Sequence, residues 1–150
     1  MAKVKNVTTK HFIAEIPKGD EEPEFLPLSK GILSVGSEND ETVEEFAYYS
    51  GDGTPESEVV SIKKNHPVEG HFLDDEPSHQ LIASKEFEDT EGRKVIYKQE
   101  RSGGQTLTGL ATILDVNVSG GPAEEYRPIT CTITWDQKPK LEEDNGGSGE

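Results

Sequence analysis

The chain has 150 residues, enough for one domain with a buried core, yet only 31% of them are hydrophobic and the mean hydropathy is -0.71. Thirty acidic against fifteen basic residues give a formal charge of -15, which excludes tight binding of nucleic acid, because holding phosphates requires clustered Lys and Arg. So little apolar material implies a thin fold, or one that completes its burial against a partner.

The opening MAKVKNVTTK is basic and carries neither the apolar stretch nor the small-residue cleavage site of a secretory signal. No apolar run approaches the ~18 residues that span a membrane. These features predict a flexible arm over residues 1–9 and a protein kept in the cytoplasm, where the sequons Asn6-Val7-Thr8 and Asn117-Val118-Ser119 have no meaning. HFIAEIP and KGILSVG, beginning at His11 and Lys30, then predict two short strands. Thr42 to Tyr49 has the β-branched and aromatic content of a third, but Glu38, Asp40, Glu41, Glu44, Glu45 and Asp52 surround it without a single Lys or Arg. On a strand, Glu45 and Tyr49 share a face with Val43 and Ala47, and Glu44 shares the other with Phe46 and Tyr48. Glu44 and Glu45 therefore cannot act as a catalytic acid/base pair.

From about residue 50 to 72 a long loop is expected, shaped by Gly51, Gly53 and Pro55 and containing the short strand candidate SEVVSIKK. DDEPSHQLIASKEF breaks the period of two: Pro77 suits a first helical turn, and Leu81 and Ile82 can be buried, so a single helix is predicted over Pro77 to Ser84. Alternation resumes in GRKVIYKQER, with Val95 and Tyr97 opposed to Lys94, Ile96 and Lys98. In TLTGLATILDVNVSG it sets Leu110, Thr112, Leu114, Val116 and Val118 against Ala111, Ile113, Asp115 and Asn117. In PITCTITW, Ile129, Cys131, Ile133 and Trp135 share one face. The predicted core is accordingly Leu114, Val116, Ile129, Cys131, Ile133 and Trp135. Turn signals at Gly19-Asp20, Gly92, Gly103-Gly104 and Gly120-Gly121-Pro122 separate the strands, and the acidic Gly/Ser tail, 141–150, is expected to be disordered. The chain reads as a mainly β domain over residues 10–140.

Motifs for chemistry are missing. Asp74, Asp75, Glu76 and His79 lack the spacing of a calcium loop and the His pairing of a zinc site, and read as a solvated helix start. His11, His66 and His71 have no nucleophile motif near them, and SGGQTLTG lacks the Gly-Lys-Ser/Thr of a phosphate loop. The lone Cys131 rules out an internal disulfide. The expectation is a protein without catalytic residues, metal or cofactor.

The succession KGILSVGSENDETVEEFAYYSGDGT, then ESEVVSIKKNHPVEGHF, the short helix in DEPSHQLIAS and a closing ITCTITWDQKPK resembles the major tail proteins of long-tailed bacteriophages, over about Lys10 to Lys140. The resemblance implies a two-sheet β-sandwich or barrel-like tail-tube domain with one short flanking helix. Six copies would close into a ring and rings would stack into a tube in the virion tail, with the subunit made in the host bacterial cytoplasm. The chain's main partner would be itself, joined by tape-measure, tail terminator and distal tail proteins, with DNA passing through unbound. An acidic lumen wall repels phosphates, which gives Glu41, Glu44 and Glu45 a purpose as lumen candidates. The loop residues Asp52, Gly53, Thr54, Pro55 and Glu56 become candidates for ring stacking, disordered in the free subunit, with Lys63 and Lys64 meeting acidic residues of the next ring. Longer members of that family carry an immunoglobulin-like domain where this chain has its acidic tail. The competing readings are a monomeric acidic adaptor or head-tail completion protein, and the tube protein of a contractile secretion system.

Overall fold

Among the described residues, period-two patterning yields nine strands: β1 (Lys10–Glu15), β2 (Leu26–Pro27), β3 (Ile32–Val35), β4 (Glu38–Phe46), β5 (Glu56–His71), β6 (Lys94–Glu100), β7 (Gln105–Asn117), β8 (Pro128–Trp135) and β9 (Lys140–Glu143). The computed structural model describes residues 3–143. It joins these strands into a single antiparallel sheet, β2-β1-β6-β7-β8-β5-β3, with β4 added to β5 and β9 to β7. The mainly β, barrel-like expectation holds, but the two sheets of a sandwich are here one sheet curled on itself. The curl can be measured across the core. Tyr97 on β6 and His66 on β5 have two strands between them, about 14 Å in a flat sheet, yet their ring centroids lie 5.5 Å apart.

The concave side holds the core. On β8, Ile129, Cys131, Ile133 and Trp135 are all buried, as their spacing predicts, and burial pushes the Cys131 thiol up to about 12. Val95 and Tyr97 of β6, Ile13 of β1 and Val68 of β5 join the same cluster. β7 departs from its expected face. Ala111 and Ile113 point into the core, then the pairing with β8 shifts between Leu114 and Asn117, where Asp115 adopts a left-handed φ of 53°. This bulge inverts the alternation, so Val116 and Val118 turn inward again while Leu114 sits half-buried on the convex side opposite Thr132. The expected core position of Leu114 is thereby corrected.

A helix, α1 (Pro77–Ala83), closes the concave side with Ser84 as its C-cap, and buries Ser78, His79, Leu81 and Ile82. His79 fastens it: Nδ1 accepts the Leu73 N–H at 3.0 Å and Nε2 donates to the Lys30 carbonyl at 2.7 Å, which requires the neutral ring with its proton on Nε2. The chain passes so close that a Cβ on Gly31, whose φ is 76°, would lie 2.6 Å from the His71 carbonyl oxygen.

Three boundaries differ from expectation. The loop foreseen over about 50–72 is strand from Glu56 onward, paired within the single chain, and only 47–55 connect it to β4. Residues 140–143, the first of the expected disordered tail among them, pair with Gln105–Thr108 of β7; 144–150 lie outside the described residues. Within the expected N-terminal arm, Asn6–Thr8 form a single 3-10 turn, held by the Thr8 hydroxyl donating to the Lys5 carbonyl.

Candidate functional site

β4 and the first part of β5 form a two-stranded arm. Their pairing runs from Glu38 opposite Asn65 to Phe46 opposite Glu56, whereas β8 covers β5 only from Asn65 to His71. The arm therefore continues past the end of β8, and its nine paired residues of β4 make it about 30 Å long. Every residue of β4 is exposed, as are the first eight of β5. Such a hairpin has no core of its own, and its ladder of backbone hydrogen bonds holds it together. At the tip, the Gly51 N–H donates to the Tyr48 carbonyl and the Thr54 N–H to Asp52 Oδ1 at 2.9 Å, which draws the Asp52 carboxyl below the usual range. Phe46 and Tyr48 stack at 6.2 Å, and Tyr49 is fully exposed.

Register gives the arm two unlike faces. Residues opposite one another in an antiparallel pair share a face, so one face carries Glu38, Asp40, Thr42, Glu44 and Phe46 from β4 with Asn65, Lys63, Ser61, Glu58 and Glu56 from β5. An irregularity between Thr42 and Val43 leaves Val60 as the extra residue and keeps the faces in step. The other face carries Asn39, Glu41, Val43 and Glu45 with Lys64, Ile62, Val59 and Ser57, and the Ser57 hydroxyl reaches Glu45 Oε1 at 3.5 Å. The first face is acidic and runs on into the convex side of the sheet, where Thr130, Thr132 and Thr134 of β8 follow. The second is mixed, with Val43, Val59 and Ile62 as its apolar residues and Glu41 and Glu45 partly offset by Lys64, and runs on into the core side through His66 and Val68.

This divides the sequence-derived candidates. Of Glu41, Glu44 and Glu45, only Glu44 stands on the acidic face, directly opposite Glu58; Glu41 lies opposite Ile62, and Glu45 beside Ser57. Lys63 lies opposite Asp40 within the acidic face, and Lys64 opposite Asn39 on the other. Asp52, Gly53, Thr54 and Pro55 are tip residues, and Glu56 opens β5. Glu38, Asp40, Glu56 and Glu58 had not been singled out as face partners of Glu44. Alternation within β4 could have supplied the first two, but the last two depend on cross-strand register.

The arm is rooted in an aromatic and histidine network. His66 Nδ1 donates to the Gly36 carbonyl at 3.0 Å while Nε2 accepts the Trp135 Nε1–H at 3.1 Å, which fixes the ring as neutral. His11 Nδ1 meets the Tyr97 hydroxyl at 2.6 Å, and the Tyr97 and Trp135 rings lie 4.8 Å apart. Burial, with a smaller repulsion from His66, draws the His11 pKa from 6.5 to about 4. Burial also lowers that of His66, against the pull of the Gly36 carbonyl, and Lys64 and Arg101 add to the lowering. In the unfolded chain both rings bind a proton near pH 6.5, whereas in the folded chain they resist it, so stability rises with pH across this window. The contribution of these two rings to the unfolding free energy should thus be fully present above pH 6.5 and be lost as the pH drops toward 4. His11 should contribute about 1–2 kcal/mol of the loss, once the full shift is discounted for a partly solvated ring. Denaturant titrations at pH 7.5 and 4.5 measure it, and equal midpoints would mean the two rings are solvated.

Among the described residues, no group of His, Cys, Asp and Glu is arranged to hold a metal ion, and no helix is long and apolar enough to cross a membrane. No family model and no curated protein matches the chain. Solved structures do. A chain in the tail of an empty gene transfer agent particle, determined by helical refinement with C6 symmetry, superposes with a TM-score of 0.67 at 11% identity, over 95% of this chain and 99% of that one. A chain in the virion of a native gene transfer agent particle gives 0.66 at 10% identity, over 93% and 99%. At such identities the likeness shows that the curled sheet with one helix is a shared fold.

Proposed function

We propose that this chain is a tail-tube subunit, six copies of which close into a ring and whose rings stack into a conduit for DNA. The observation that carries the reading is the arm: a solitary subunit has no use for an extended hairpin exposed on both sides, whereas an assembly buries one. A fold shared with a chain of a C6-symmetric tail supports the sixfold ring. The role is structural, without substrate or cofactor, and the place of work is the virion tail. Tape-measure, terminator and distal tail proteins would complete the assembly.

The acidic face of the arm and the threonine-rich side it joins suit a lumen wall. A carboxylate surface repels passing phosphates and releases no condensed counterions, so DNA slides without capture. Glu44 opposite Glu58 destabilises the isolated hairpin by up to about 1 kcal/mol. A tolerated cost of that kind fits a function for the charge. The opposite, less charged face, with Val43, Val59 and Ile62, would meet protein instead.

Negative-stain micrographs of the purified protein at high concentration test the proposal. Rings or tubes about a hundred ångströms across, of the size that six subunits make, are the expected result. A strict monomer by light scattering at every concentration would favour the acidic adaptor. Lumen placement has its own test. Glu44→Lys should preserve tubes but slow DNA ejection from assembled particles, while Glu45→Lys, on the opposite face, should impair assembly more than ejection. Identical behaviour of the two variants would dissociate charge from face.

A further inference from the structure

At the arm's root lies a groove of about 340 Å³ between the two ends of the curled sheet. Val7, Phe12 and Leu28 line it from the N-terminal turn, β1 and the segment after β2, and Ile32, Leu33 and Val35 from β3. The lining is uncovered in part, with Val7 71% and Leu33 69% exposed. Lys10 lines the groove with no carboxylate beside it, and Lys5 immediately precedes the lining residues Asn6 and Val7. Lys10 Nζ also donates to the Val7 carbonyl, which steadies the turn that forms one wall.

The arm tip is its complement. Tyr48 and Tyr49 are exposed there among Glu44, Glu45, Asp52, Glu56 and Glu58, and no basic residue occurs between Lys30 and Lys63. The tip cannot reach the groove of its own chain, because paired strands hold it about 30 Å from the root. Resting on the tail-tube reading, we infer that the Tyr48–Tyr49 tip of one copy docks in the root groove of the next. Amphipathic tyrosines would fill the apolar floor while tip carboxylates face Lys10 and the neighbouring Lys5. A tip-to-root contact is heterologous: each bound copy presents a free tip or a free groove, so the contact propagates along the arm direction and does not close on itself. The contact accounts for the basic opening of an otherwise acidic chain.

Variants with one added cysteine distinguish the possibilities, since the native Cys131 is buried. Ser50→Cys places a thiol beside the tip tyrosines and Ser34→Cys one in the groove, leaving the anchoring side chains intact. Mixed, assembled and oxidised, the two variants should give a reducible dimer. Ser50→Cys mixed with Phe87→Cys, whose position is exposed on the segment after the helix, should not. Adding Tyr49→Ala to Ser50→Cys should cut the cross-link about tenfold or more. Tubes that form without the Ser50–Ser34 cross-link, or with equal cross-linking at position 87, overturn the docking and leave the tube reading standing. A chain that stays monomeric and unlinked at every concentration overturns both.

Discussion

Trp135→Ala is expected to cost about 3–5 kcal/mol, a large part of the stability of a domain this size. The indole is 7% exposed on the concave face of β8, with the Tyr97 ring 4.8 Å away and the Gly109 backbone beneath it. Removing it opens a cavity in the middle of the curl, where strands from both flanks of the sheet converge and cannot collapse independently. It also strands a polar atom, because His66 Nε2 loses the Nε1–H that it accepts at 3.1 Å. Trp135→Phe separates the two contributions: most of the volume stays and the hydrogen bond goes, so a loss of about 1–2 kcal/mol is expected. Chemical denaturation monitored by far-UV circular dichroism measures both variants. A midpoint for Trp135→Ala indistinguishable from the parent would place the indole outside the core.

Where one face is buried and the backbone regular, the sequence is legible. β8 alternates Ile129, Cys131, Ile133 and Trp135 against threonines because one side packs and the other does not, and α1 announces itself through Pro77 and its paired Leu81 and Ile82. β7 misleads at Leu114 because Asp115 bulges, and a single extra residue exchanges the faces of everything after it. β5 was underestimated for another reason. Val59, Val60 and Ile62 form a strand that is exposed in the subunit, so periodicity there has no buried side to report. β9 was lost among charges, since Lys140, Glu142 and Glu143 join a sheet edge through backbone hydrogen bonds that no side-chain pattern betrays. The same limit applies to the site. Alternation sorts Glu44 from Glu45, but the opposition of Glu44 and Glu58 depends on Val60 as a bulge. The groove gathers Val7, Leu28 and Leu33 from segments that meet only after the sheet has curled.

On the tail-tube proposal, replacing Phe46 to Glu56 with a two-residue Asn-Gly turn should yield a folded, soluble protein that builds no tubes. The excised segment contributes nothing to the buried core, and the remaining β4 and β5 pair from Glu45 opposite Ser57 down to Glu38 opposite Asn65, so the two-residue turn closes directly on that pair. The melting temperature should stay within a degree or two of the parent. The excision removes Asp52 and Glu56 but leaves Glu44 opposite Glu58, so the repulsion within the arm changes little. Assembly, in contrast, should fail completely if the proposed tip-to-root contact joins the copies, because Tyr48 and Tyr49 leave with the tip. Electron microscopy and sedimentation at matched concentration provide the measurement. Tubes at parental yield would mean that stacking proceeds through the body of the sheet. A melting temperature lowered by ten degrees would mean instead that the arm packs on its own subunit. Amide exchange in the free parent adds an independent check: arm amides, held by one ladder and no core, should exchange far faster than those of β8, and assembly should slow them.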